Sequence, residues 1–208
     1  MDIEQFNHDL LDFLTRSTTP FHAVQHMLKR LSAAGFEVLH EADDWSLKTG
    51  GRYCVIRNNS SIVAFTVGDK SILDSGIRMV GAHTDSPCLK VKPQPELFNK
   101  GYFQLGVEVY GGALLNPWFD RDLSLAGRVS FSDSDGAISS GLIDFKRAIA
   151  TIPSLAIHLD REANNSRSIH SQKDLPPVLM QVRDDKTRFN DLLLPQLTLE
   201  KPGCGTKR

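Results

Sequence analysis

Apolar residues repeat at two periods along this 208-residue chain, first helical and then strand-like. That order restricts it to folds that open with helices and continue in sheets. Ile3, Phe6, Leu10 and Leu14 recur at helical spacing, so residues 2–16 are expected to form an amphipathic helix. A second helix has a defined start and stop, with Thr19 as N-cap, Pro20 at the first helical position and Gly35 just past the end. Beyond it the period shortens. Residues 53–57 and 61–67 read as two strands joined by a hairpin at Asn58-Asn59-Ser60. The run Ile77-Arg78-Met79-Val80-Gly81-Ala82 has strand character and stops abruptly at His83-Thr84-Asp85-Ser86-Pro87. After about residue 92, Phe103, Leu105, Val107 and Val109 alternate with Gln104, Gly106 and Glu108. Strands are expected at 125–131 and 137–143, flanking the turn Asp133-Ser134-Asp135-Gly136, and again at 154–159 and 178–182. The chain therefore reads as a mixed α/β portion followed by a β-rich portion.

Composition narrows the function. The 24 Lys+Arg nearly cancel the 25 Asp+Glu, giving a net charge of -1, which argues against nucleic acid as a partner. No apolar run approaches about 18 residues, so no membrane span is expected. Met1-Asp2-Ile3-Glu4 lacks the basic-then-apolar order of a secretory signal. The three cysteines, Cys54, Cys88 and Cys204, contain no Cys-x-x-Cys pair. Reduced thiols in a soluble, cytoplasmic protein are the expectation.

Three segments carry candidate chemistry. In open α/β sheets ligands gather beyond the carboxyl ends of strands, where His83 and Asp85 would emerge. A His-x-Asp pair suits a metal site, because imidazole ligates zinc and a carboxylate orients the ring through its other nitrogen. The same pair also fits a purely structural hydrogen bond, and one histidine does not hold zinc, which takes three or four protein ligands. Gly111-Gly112 followed by Trp118-Phe119-Asp120-Arg121-Asp122-Leu123 fits a substrate rim or an interface, and equally a tight loop with an Arg121 ion pair. His158, in Ala156-Ile157-His158-Leu159-Asp160-Arg161, faces either solvent or a neighbouring subunit. No Gly-x-Ser-x-Gly elbow and no phosphate-binding glycine loop occurs, so serine hydrolysis and nucleotide chemistry lack local support. A thiol nucleophile at Cys88, close to His83 in sequence, is a minor alternative.

Together the segments resemble a known family. Ser17-Thr18-Thr19-Pro20-Phe21-His22-Ala23-Val24, Gly81-Ala82-His83-Thr84-Asp85-Ser86-Pro87, Gly106-Val107-Glu108-Val109-Tyr110-Gly111-Gly112, residues 118–123, Ile157-His158-Leu159-Asp160-Arg161 and Leu175-Pro176-Pro177-Val178-Leu179 follow one another as in the aspartyl aminopeptidases, also called the aminopeptidase I zinc metalloproteases. The resemblance runs from about residue 2 to about 198. It implies an incomplete zinc-exopeptidase domain of α/β class at 1–92, a β-rich oligomerisation insert at 93–200 and an atypical tail at 201–208. It further implies removal of N-terminal residues, acidic ones included, from peptides by a site with two zinc ions. His83 would be a ligand to one zinc, Asp85 the catalytic-site carboxylate holding that ring, and His158 a substrate-binding residue reaching a neighbouring subunit. A homo-oligomer built through the β-rich part is expected. The family's remaining ligands lie beyond the insert: a bridging aspartate, a Glu-Glu pair, a further carboxylate and a histidine. The expectation is thus a truncated chain that is inactive alone. The rival reading is a non-catalytic assembly fragment that pairs with full-length subunits and supplies His158 to them.

Overall fold

The structure is a computed structural model that describes residues 2–132 and 135–200, the last three by their backbone alone. Half of the expected turn, Asp133-Ser134, and the expected tail at 201–208 lie outside the described residues. The chain divides into two compact units, Met1–Ser86 and Pro87–Arg208.

The first unit contains α1 (Ile3–Arg16), α2 (Pro20–Ala33), β1 (Glu37–Leu39), β2 (Arg52–Arg57), β3 (Ser61–Thr66) and the short α3 (Ile72–Ser75). Helix α2 forms where its caps direct. Thr19 Oγ1 accepts from the backbone N–H of His22 and lies 2.8 Å from His22 Nδ1. At the other end Gly35, at φ +81°, sends its N–H to Ser32 and the next residue, Phe36, to Leu31, which satisfies the last carbonyls. The sheet order is β1-β2-β3, with β1 parallel and β3 antiparallel to β2. Asn58 and Asn59 both take positive φ in the expected hairpin turn, as asparagine tolerates. Ala23 and Val24 of α2, with Tyr53, Cys54 and Val55 of β2, are the unit's buried apolar side chains. Cys54 is fully buried, and that burial raises its thiol pKa. Tyr53 stands opposite Phe65, ring centroids 5.6 Å apart.

The first expected helix forms, and one expectation for this unit needs correction. The stripe Ile3, Phe6, Leu10, Leu14 does lie on a helix, yet no residue of α1 is buried. Helix α1 meets α2 along the flank of that stripe, where Arg30 reaches Asp9 at 3.2 Å and lies over the half-buried Phe13 ring. Residues 77–82 form no strand: Ile77, Met79 and Val80 are 70, 84 and 99% exposed. Strand geometry needs a neighbour to complete its ladder, and among the described residues none pairs with this run.

The second unit holds β4 (Cys88–Asn99), β5 (Tyr102–Tyr110), β6 (Ala126–Ser132), β7 (Ile138–Asp144), β8 (Val178–Gln181) and α4 (Phe189–Glu200). One antiparallel sheet has the order β4-β5-β8, and β6 and β7 make a separate hairpin. Lys100 and Gly101, both at positive φ, close the β4–β5 hairpin in two residues. The β4–β5 register slips between Val91 and Glu96, where Pro93 and Pro95 have no N–H to give to a ladder. Gly106 faces that bulge, and a Cβ there would meet Lys92 and the Pro95 carbonyl at 3.4 and 3.5 Å. The strand expected at 154–159 is not formed. Pro153 interrupts the donors, and the segment curls into turns with the Leu159 N–H on the Ala156 carbonyl at 2.8 Å. Val107, Phe119, Ile152 and Leu175 make one core, and Leu193 and Leu197 of α4 pack with Ile143 and Phe145 in another. The expected class, α/β followed by β-rich, is the one observed.

Candidate functional site

The sequence set His83 and Asp85 two residues apart, and the structure brings them into contact. His83 Nδ1 lies 3.0 Å from Asp85 Oδ1. The segment is tied down beside them, because the Thr84 hydroxyl donates to the Ser60 carbonyl at 2.7 Å. Asp85 is about a third exposed at its side chain and His83 is 89% exposed. A carboxylate accepting at Nδ1 fixes the proton there, so the lone pair available for a ligand is on Nε2. The arrangement can therefore present one oriented imidazole to a cation. It does not make a binding site unaided: among the described residues no group of three or more His, Cys, Asp and Glu side chains converges. Zinc takes three or four protein ligands, so this chain's described residues do not fit a zinc ion, and no chemical step through one follows from them.

In the second unit the 118–123 segment is a clamped loop. Its Trp118 ends a 3-10 turn spanning Asn116–Trp118, and Phe119 is buried. Asp120 takes φ +54°, sends its N–H to the Ile152 carbonyl at 2.9 Å and accepts the Ser154 N–H on Oδ1 at 2.8 Å. That backbone hydrogen bond, with Ser154's side-chain bond and the Arg167 charge adding, holds the Asp120 carboxyl below the usual carboxylate range. The segment is a tight loop, clamped by Asp120. Arg167 lies over the Phe119 ring at 4.2 Å and its Nε is 3.5 Å from Asp160 Oδ2. Between these anchors residues 157–159 form an exposed turn carrying His158. Gly111 turns at φ +71° against Pro87, where a Cβ would come within 3.5 Å.

Sequence reasoning missed the Asp120 clamp and Arg167. An aspartate tolerates left-handed backbone, which was the one local signal for the first. Arg167 had none: Phe119 lies 48 positions before it, and Asp160, seven before it, is reached only through turns. Open grooves lie beside Lys100, Tyr102 and Arg183 in one unit and beside Gly35 and Gly51 in the other, and neither includes His83, Asp85 or His158.

Comparison with known proteins supplies what concavity does not. The family described as "Aminopeptidase I zinc metalloprotease (M18)" matches residues 13–193. A "Probable M18 family aminopeptidase 2" of Pseudomonas savastanoi pv. phaseolicola is 60% identical over 197 residues, which is 94% of this chain and 46% of that protein. The chain spans about half the length of the curated relatives it matches. Among solved structures, mApe1 of Chaetomium thermophilum is similar at a TM-score of 0.83 and 34% identity, covering 97% of this chain and 48% of that one. The mApe1 dodecamer of S. cerevisiae is similar at 0.74 and 26% identity, covering 98% of this chain and 45% of that one.

Proposed function

We propose, from the premise that this chain belongs to the aminopeptidase I zinc metalloprotease family, that its residues serve one half of a metalloaminopeptidase. The whole enzyme would remove N-terminal residues, acidic ones included, from peptides, with two zinc ions. His83 would give Nε2 to one ion, Asp85 would hold that ring, and His158 would contact the substrate of a neighbouring subunit. The observation that carries this reading is the 3.0 Å His83–Asp85 pair, set on an exposed ring inside the matched residues. The β-rich unit would serve homo-oligomer assembly, a reading that the dodecameric state named for the S. cerevisiae neighbour supports, and the enzyme would work in the cytoplasm. The boundary between catalytic and assembly parts would fall near residue 92.

A single imidazole does not hold two cations together, so the 208-residue chain alone should be inactive. Purified chain should release no p-nitroaniline from glutamyl or aspartyl p-nitroanilide, and should retain no stoichiometric zinc after dialysis. Steady turnover, or one tightly held zinc per chain, would sink the half-site reading.

The rival is a non-catalytic fragment that pairs with full-length subunits and lends them His158. The exposure of the His158 turn favours it. Light scattering after size exclusion, with and without a full-length relative, separates the two. A strictly monomeric chain that ignores the relative excludes the rival.

A further inference from the structure

Residues 155–159 hold a turn although none of them is buried. Leu155, Ile157 and Leu159, the apolar side chains around His158, are 58, 46 and 74% exposed. The turn closes on the Ala156 carbonyl, which accepts from the Leu159 and Asp160 N–H groups at 2.8 and 3.2 Å. A segment with so little burial keeps one shape only when its ends are fixed from outside. Both ends here are fixed on one dipeptide, Phe119-Asp120. At the near end Asp120 Oδ1 accepts the Ser154 N–H at 2.8 Å. At the far end Arg167 Nε lies 3.5 Å from Asp160 Oδ2, and its guanidinium rests 4.2 Å over the Phe119 ring. The Arg167 and Asp160 side chains are only 20 and 23% exposed, so salt and water screen their attraction less than at the surface. Phe119 is itself buried against Val107, Ile152 and Leu175.

We infer that Arg167 is a positioning residue: through Asp160 and Phe119 it sets the direction in which the His158 ring projects. A guanidinium suits this seat, because its face stacks on the aromatic ring while its edge meets the carboxylate. The chain between the two partners is already folded back, with the Ala163 N–H on the Asp160 carbonyl at 3.2 Å and the Ser166 N–H on the Glu162 carbonyl at 3.1 Å. The bridge therefore closes a short loop, at small cost in chain entropy. Among the described residues Asp160 makes no other ion pair, so without Arg167 the His158 turn is tethered at Ser154 alone. The consequence for catalysis rests on the reading of His158 as a contact to a neighbour's substrate.

The test is NMR on the 208-residue chain, following amide exchange at Leu159 and Asp160 and the line width of the His158 ring. Arg167→Met keeps much of the stem and removes both the charge and the planar face. Those two amides should exchange about tenfold faster or more and the ring signal should narrow, with Leu105 and Val107 in β5 unchanged. Arg167→Lys, which keeps the charge alone, should fall between parent and Arg167→Met. Phe119→Leu stays apolar but loses the ring face, and should loosen the same amides even if Arg167→Met does not fold. An arginine that only holds the fold together would lower the urea midpoint and leave the turn as in the parent. That result, or parent-like exchange in all three variants, would overturn the inference. Parent, Arg167→Met and His158→Ala chains are then each added to the full-length Pseudomonas savastanoi relative. Arg167→Met should shift KM for glutamyl p-nitroanilide in the same direction as His158→Ala, and by less. No change with His158→Ala would sink the substrate-contact reading, while a loosened turn in Arg167→Met would still support the positioning.

Discussion

Asp120 couples charge to backbone shape in one residue: a left-handed φ that few side chains accept, and a carboxylate that receives the Ser154 N–H. Its folded pKa is lowered, so its stabilising effect is complete above the unfolded value of about 3.9 and is lost as pH falls through the lower folded value. Asp120→Asn keeps the shape, the oxygen acceptor and the tolerance for positive φ, and removes the charge. The variant should unfold at lower urea than the parent at pH 7, and the gap should close as pH drops below about 4. A gap that ignores pH would refute the account. At this scale the sequence was informative wherever partners are local. His83 and Asp85 are two positions apart, and the pair formed as their chemistry suggested. Thr19 and His22 likewise met across one helical turn. Arg167 was not legible, because Phe119 and Asp160 reach it only after the loops have folded.

At the scale of elements, two-residue turns and helix caps were the readable features, since their backbone angles are dictated by one or two residues. Gly101 is such a case. At φ +81° between β4 and β5, Gly101→Ala should cost about 1–2 kcal/mol by urea denaturation. Lys100→Gly, at φ +50° in the same turn, should be neutral or stabilising by a few tenths of a kcal/mol. Equal losses at both positions would contradict the assigned turn. Strand β4 was illegible for the converse reason: Pro93 and Pro95 argue against a ladder, and only the bulge opposite Gly106 makes room for them. Helix α1 was legible as a helix but not as to its neighbour. Its period reported amphipathicity, while the Asp9–Arg30 contact decided which side meets α2.

For the whole molecule the governing fact is that the chain divides into two compact units, each with buried apolar side chains of its own. The class α/β followed by β-rich was legible because it needs only the order of periods. The missing strand at 77–82 was not, because a strand is a property of two segments and the sequence displays one. Cys54 offers a way to watch this from inside. Its sulfur is sealed in β2 and resists ionisation, whereas Cys88 is only half-buried. Alkylation at Cys54 should therefore run only as fast as the first unit opens, making this one thiol a stopwatch for breathing of the sheet beside the candidate site.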